Sequence, residues 1–530
     1  MNIHARNRMN ASLISAIVLV AVLGGSVLPG QAQDPYIGLG GGVPETQIDK
    51  FIFPKLSQIG ARPAMCSDAV FIRRVFLDML GTVPTAKEAR EFILDQDRNK
   101  RRALIERVLQ RDEYADYWAM KWSDILRVKA EFPVNLWPNA AQAYHRWIRA
   151  SMAENKPYDK FVREMLTSSG SNYRVGPVNF YRAVQNKTPE GIAIATAMVF
   201  LGSRAEFWPK HYLPGMKMFF TQIGFKPTRE WKEEVVFWDP SKITNNVPQM
   251  ATFPDGTQVQ LPADRDPREV FADWLIRPEN PWFTLNIVNR MWSWLLGRGV
   301  IHEPDDIRSN NPPSNPVLLA YLQKELVAFR YDMKHIFRLI LNSRTYQITS
   351  VARYSNPQIE ANFGAYPLRR LDAEVLIDVI NKITGTSDLY TSAIPEPFTF
   401  IPDNKPAVAL PDGSISSSFL ELFGRSPRAT GMENERVYKP LPSQRLHMLN
   451  SSHIQRKIEE GPKMKVMFEG KRKSREITDD LYLTILSRFP NGDEARMAEA
   501  HANSKVVKGQ EGWVDVAWAL MNSTEFLYRH

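Results

Sequence analysis

A single cysteine, Cys66, in 530 residues removes several chemistries at once. It excludes an intramolecular disulfide framework, a four-cysteine zinc site and haem attached through a Cys-x-x-Cys-His pair of thioethers. The nine histidines are dispersed, with no His-Glu-x-x-His and no pair at i, i+4. His447 and His453 are six apart, a poor spacing for one helix face. There is no Gly-x-Ser-x-Gly elbow and no phosphate-cradling glycine loop. No metal site or cofactor is therefore expected. Hydrophobic residues make up 44% and charged residues 24%, which excludes wholesale disorder. A nucleic-acid partner is also excluded. The densest basic run, Lys463 to Arg475, is interrupted by Val466, Met467, Phe468 and Glu469, and no recognition module accompanies it.

The N-terminus speaks to location. Arg6 and Arg8 precede an uncharged apolar stretch from Ala11 to Leu28, then Pro29 and the small residues of Gly30-Gln31-Ala32. This is the layout of a secretory signal peptide over residues 1–32, the alternative being an uncleaved N-terminal membrane anchor. Its removal takes off two arginines and no acid, lowering the net charge from +9 to +7. No later stretch reaches membrane-spanning length, so the mature chain is expected to be periplasmic or extracellular, with no stable membrane span.

Helical periodicity dominates what remains. Ser67-Asp68 opens a helix that Gly81 stops, and Thr85 with Glu88 makes a capping box for the next. Thr188-Pro189-Glu190 starts an apolar helix through Ile192 to Leu201, ended by Gly202. Further helices are expected over 100–110, 113–128, 282–296, 315–328, 332–342, 371–384, 443–459, 475–487, 493–503 and 510–526. The fold class is mainly α: an N-terminal helical domain (33–238), a Pro/Gly-rich segment (239–265) with at most a short β-hairpin, and a C-terminal helical domain (266–530). In the hairpin, Thr257 to Leu261 is the candidate strand. The irregular loop 395–418 is longer than a compact domain usually keeps unless it has a job or is disordered. One local pattern recurs. Leu341-Asn342-Ser343-Arg344-Thr345-Tyr346 matches Met521-Asn522-Ser523-Thr524-Glu525-Phe526, with a weaker echo ending at Tyr114. Irregular spacing makes it a reused helix-ending device rather than a solenoid.

Residues Phe71 to Thr85, containing Arg73-Arg74-Val75, Leu77-Asp78, Gly81 and Pro84-Thr85, resemble the opening of the domain of unknown function numbered 1549. Several segments are similar to the companion domain numbered 1553: Asp266-Pro267-Arg268, Asn289-Arg290-Met291-Trp292, Leu296-Gly297-Arg298-Gly299, Glu303-Pro304-Asp305-Asp306, Ser343-Arg344-Thr345-Tyr346, Arg369-Arg370-Leu371-Asp372-Ala373-Glu374 and Phe423-Gly424-Arg425. The resemblance spans nearly the whole mature chain. It implies an exported protein of the planctomycete type, from a family often joined to cytochrome-c-like domains, and it brings no assigned reaction. The chain departs from it where the family carries Cys-x-x-Cys-His: Leu201-Gly202 is followed by Ser203 through His211 without cysteine. Thiolate coordination and covalent haem do not carry over.

Three polar clusters are candidates for a site. Asn286, Asn289 and Arg290 share one helix face, with Arg298, Asp305 and Asp306 close behind. Asp305 or Asp306 can serve as general base, with Arg290 orienting a substrate; the competing reading is a buried Arg290–Asp ion pair. Arg369 and Arg370 precede Asp372, which can cap the helix beginning near Ala373. Glu421, Arg425, Glu433, Glu435 and Arg436 flank a glycine loop, as a pocket wall or as a surface charge network. Tyr114, Trp118 and Trp122, at i, i+4 and i+8, read as buried packing, though exposed tryptophan can stack on sugar. The leading expectation is a binding or structural protein that contacts an envelope protein or an extracellular polysaccharide. The alternatives are a carbohydrate hydrolase built on Asp305, Asp306 and Arg290, and electron transfer with a noncovalent cofactor. Convergence of these side chains on one concave pocket favours the hydrolase; dispersal into separate pairs favours binding.

Overall fold

The computed structural model describes residues 34–530 except 244–248, 352–355, 470–471, 505 and 508–509. The signal-peptide reading falls on residues 1–32, outside the described residues. Helix accounts for 54% and strand for 6%, so the chain is mainly α. No helix among the described residues is long and apolar enough to cross a membrane.

Local sequence signals act where they stand. The Ser67 side chain accepts from the Val70 amide, and helix Asp68–Leu80 ends at Gly81 with φ +61. A Cβ on Gly81 would lie 2.4 Å from the Tyr117 ring, so only glycine fits both the backbone and the packing there. Thr85 and Glu88 cap Ala86–Leu94 reciprocally. The Pro189 helix is α only to Thr196 and closes in a π turn, Ala197–Leu201. The stretch 443–459 is two helices, Pro442–Asn450 and Ser452–Glu460, because the Ser451 side chain caps the second one. Helices Gln47–Gln58, Pro138–Ala153 and Tyr158–Thr167 lie beyond the segments singled out from sequence. Thr46 and Asp49 form a capping box for the first of them.

The recurrent pattern proves to be one piece of hydrogen bonding used twice. Ser343 Oγ donates to the Ile340 carbonyl (2.6 Å) and accepts from the Tyr346 amide (3.2 Å). Ser523 Oγ repeats this with Leu520 (2.7 Å) and Phe526 (3.2 Å). Asn342 and Asn522 each donate back to a carbonyl four residues earlier. The hydroxyl turns the chain sharply, and Tyr346 and Phe526 drop fully buried into the core.

Strand content is small and entirely antiparallel. Met250–Thr252 and Gln258–Gln260 form the hairpin in the Pro/Gly-rich segment. A three-stranded sheet just before it, ordered Gly170–Ser171, Glu234–Trp238, Ile223–Pro227, was not anticipated from periodicity. Its strands are too short and too mixed in polarity to show alternation. Arg369–Arg370 pairs with Tyr528–Arg529, and Ile37–Gly41 with Ala64–Cys66.

The buried apolar residues form one continuous cluster drawn from both helical regions. Lys100–Leu109 packs on Met333–Asn342, Ala86–Leu94 on Ser474–Ile485, and Gln47–Gln58 on Pro316–Ala328. Trp118, Trp122 and Trp294 meet in its middle, with Trp118 and Trp294 ring centroids 5.2 Å apart. Ser343→Ala is expected to cost about 1–3 kcal/mol because it strands the buried Tyr346 amide, and Ser523→Ala less because Ser523 is only half-buried. Urea unfolding of the two variants checks the order.

Candidate functional site

Most charged side chains of the sequence motifs are turned inward. Arg73 donates to the Ile485 and Phe526 carbonyls, and Arg74 to those of Tyr346, Ile348 and His530. Asp78, one turn on, accepts from the Tyr346 and Tyr366 hydroxyls (both 2.8 Å) and pairs with Arg529 (3.0 Å). Arg529 also reaches Asp372 (2.8 Å), which in turn holds Lys121 (3.0 Å). A second node follows. Arg436 binds Asp124 (2.6 Å) and grips Glu374 bidentately (2.7 and 3.0 Å), while Arg428 takes the other Asp124 oxygen (3.0 Å).

Two expectations are corrected by this geometry. Asp372 stands at the N-cap position of Ala373–Thr384 but makes no side-chain cap bond; Lys121 and Arg529 claim its carboxylate instead. Arg425 and Arg436 belong to a buried network rather than a surface one. His447 and His453 stand close, ring centroids 6.0 Å apart, because the helix breaks between them. Among the described residues no three His, Cys, Asp or Glu side chains gather as a metal site.

The other predicted residues divide as follows. Arg290 pairs with Asp305 at 2.6 Å and donates to the Met198 carbonyl; Asp305 accepts the Glu433 amide (2.8 Å) with its other oxygen. Arg290 is 2% and Asp305 5% exposed, so no substrate reaches them. Asp306 is held apart by Arg308 (3.0 Å). Asn289 exchanges two hydrogen bonds with Ile301, fixing the loop after Gly299, and Asn286 donates to the Val199 carbonyl. Arg369 caps the end of helix Phe283–Leu296 through the Trp294 and Leu295 carbonyls, and Arg370 holds those of Phe423 and Val437. Glu435 gathers the amides of Ala429, Thr430 and Gly431. Arg298 stands alone, lining a cavity of about 150 Å³ with His302 and Glu360.

Electrostatics agree with a structural role. Burial pushes the Asp372 carboxyl up, but Lys121, Arg529 and Arg436 outweigh it and hold it far below the usual range. Burial acts on Glu374 likewise, and Arg436 followed by Arg425 brings it to about 2. These groups remain ionised and paired, which suits a scaffold and not a proton carrier.

A different region has the attributes of a site. The loop after helix Asp112–Ile125 and the long loop 395–418 are bolted together. Asp412 accepts the Ala130 and Ser414 amides (both 2.8 Å), and Gly413 donates to the Val128 carbonyl (2.9 Å). Asp378 accepts the amides of Ala407 and Val408. Burial pushes the Asp378 carboxyl up to about 7, against those two amides, which pull it down. From this base four aromatic rings project. Phe132 is 80%, Phe400 68% and Phe398 44% exposed, and Trp137 meets Phe398 edge to face with centroids 5.2 Å apart. Trp137 has φ +73 and ψ 149, a backbone region otherwise kept for glycine and costing about 1–3 kcal/mol. Thr399, between the two exposed phenylalanines, is buried. The sequence flagged the long loop but not these rings, since exposure of Phe132, Phe398 and Phe400 has no periodic signature.

The fold and its interior thus define a mainly helical protein in which most motif residues are internally paired and two joined loops carry three exposed phenylalanine rings. Residues 47–202 match the family described as a protein of unknown function, DUF1549 (PSCyt2), and residues 267–502 match DUF1553 (PSD1). The chain belongs to the proteins that pair these two domains. No curated protein and no solved structure matches it.

Acid lability follows from Glu374. Its folded value lies below the ordinary 4.5, so its contribution is complete above about pH 4.5 and is lost as pH falls toward 2. Glu374→Gln should flatten that limb of a stability-versus-pH curve, at the expense of stability at pH 7, where Arg436 loses one of its partners; denaturant titrations from pH 2 to 7 measure both effects.

Proposed function

We propose that this is an exported binding protein that docks another protein of the envelope through Phe132, Trp137, Phe398 and Phe400. The observation that carries the reading is the exposure of three phenylalanine rings on loops whose backbones are hydrogen-bonded to one another. Phe398 meets Trp137 across the two loops, and an exposed apolar patch of this kind marks an interaction surface. Rigid presentation spares the ordering cost of association, and aromatic anchors in a preset geometry supply most of an interface's affinity. Phenylalanine offers no hydrogen bond to a sugar hydroxyl but fills an apolar protein groove, which favours a protein over a polysaccharide. The hydrolase reading lacks comparable support, because Asp305 has both oxygens engaged and is shut away from solvent with Arg290.

A photoreactive phenylalanine analogue placed at 132 or 400 in the source cells tests this, with Val466, 72% exposed on another helix, as the control position. One discrete adduct with a different protein is expected from 132 and 400 and none from 466. Phe132→Ser/Phe400→Ser should lower partner affinity at least about tenfold, for a loss near 1.4 kcal/mol or more, with an unchanged melting temperature. Equal labelling from 466, or adducts with glycan alone, would sink the proposal.

A further inference from the structure

The hairpin joining Ile223–Pro227 to Glu234–Trp238 carries a second exposed feature, remote in character from the phenylalanine surface. Its turn is tightly built. Thr228 and Glu233 pair through backbone and side chain, and both Glu233 oxygens are engaged, one by Thr228 (2.6 Å) and one by Ser171. The Tyr173 hydroxyl donates to the Trp231 carbonyl at 2.5 Å, and Lys232 takes φ +63 to complete the turn. The result is a fixed tip on which the Trp231 indole is 66% exposed.

The unpaired charge on that hairpin has one sign in excess. Lys226, Arg229 and Lys232 lie on the hairpin and Lys187 stands beside it; none has an acid within ion-pair distance among the described residues. Lys187 is held below the ordinary lysine range by burial first and then by the neighbouring Arg182, with Lys232 adding to the effect. Of the three acids on the hairpin, Glu233 is occupied inside the turn and Glu234 is paired with Arg182, which leaves Glu230 alone. The Lys232 ammonium sits 5.3 Å from the Trp231 ring centroid and steadies it.

We propose that this hairpin tip is a binding site for an anionic polysaccharide, with Trp231 stacking on a sugar ring and Lys226, Arg229 and Lys232 pairing with its carboxylate or sulfate groups. A flat exposed indole supplies the stacking face, and the unpaired cations of the same hairpin supply the charge complement. A protein partner fits less well, since interface centres are depleted in charge. An anionic membrane also fits less well: a single indole between Glu230 and Lys232 buries too little apolar area to hold a bilayer. The site is independent of the proposed phenylalanine interface.

The test is retention of the purified full chain on immobilised polygalacturonate, beside neutral dextran and vesicles of phosphatidylglycerol. Binding to polygalacturonate, absent on dextran and weakened by added salt, is expected. Trp231→Ala should weaken it about tenfold, which is 1.4 kcal/mol, and Lys226→Glu/Arg229→Glu/Lys232→Glu should abolish it. Phe132→Ser/Phe400→Ser should bind as the parent does, so failure here and failure of the protein-docking reading remain distinguishable. All of these positions are exposed, and an unchanged melting temperature verifies folding. Binding that is indifferent to Trp231→Ala, which is simple ion exchange, or tighter binding to the vesicles, or no binding at all, overturns the proposal.

Discussion

Asp372 is the point at which the molecule is tied together. It receives Lys121 from helix Asp112–Ile125 and Arg529 from the last strand, and Arg529 carries the link on to Asp78 in helix Asp68–Leu80. None of these groups keeps appreciable contact with water. Taking so many charges out of solvent is costly, and removing one partner of a buried pair typically costs about 3–5 kcal/mol. The charges must therefore be paired together or not at all, which makes the approach of residues 68–125 to residues 369–436 and 529 an all-or-none event. The continuous apolar cluster around Trp118, Trp122 and Trp294 follows from the same approach.

That constraint also explains why most charged residues of the motifs are taken up in the interior. Arginines that would orient a substrate are committed to backbone carbonyls: Arg369 to Trp294 and Leu295, Arg370 to Phe423 and Val437, Arg290 to Met198. Those of Trp294, Leu295 and Phe423 are groups that a helix end would otherwise leave unpaired in the core. Two exposed features on the loops differ in chemistry. One is apolar and aromatic, and the other is cationic with a single indole.

The segment where family members usually carry cysteines is occupied differently in this chain. Ser203 accepts a hydrogen bond from the Trp208 indole at 2.8 Å, and Phe207 and His211 are exposed. The turn after Gly202 closes through a tryptophan and a hydroxyl, and it stays in place because the Gly202 carbonyl accepts the Ile307 amide at 2.8 Å.

Local chemistry was readable directly. Caps at Ser67, Thr85 and Thr188, stops at Gly81 and Gly202, the strand near Thr257 and the Asn-Ser turn used twice all depend on residues a few positions apart. An apolar stripe at helical spacing likewise announces its own burial, as Tyr114, Trp118 and Trp122 do. What sequence could not settle was the partner of each charge. Asp372 reads as a cap because capping is a local option, yet its real partners are 251 and 157 residues away. Nor does a phenylalanine reveal whether it will be buried: Phe132 and Phe398 are exposed on loops that distant carboxylates hold, Asp412 at the Ala130 amide and Asp378 at the Ala407 amide. Short-range hydrogen bonding and periodicity are written along the chain, whereas ion pairing and exposure depend on which distant surfaces the folded core brings together.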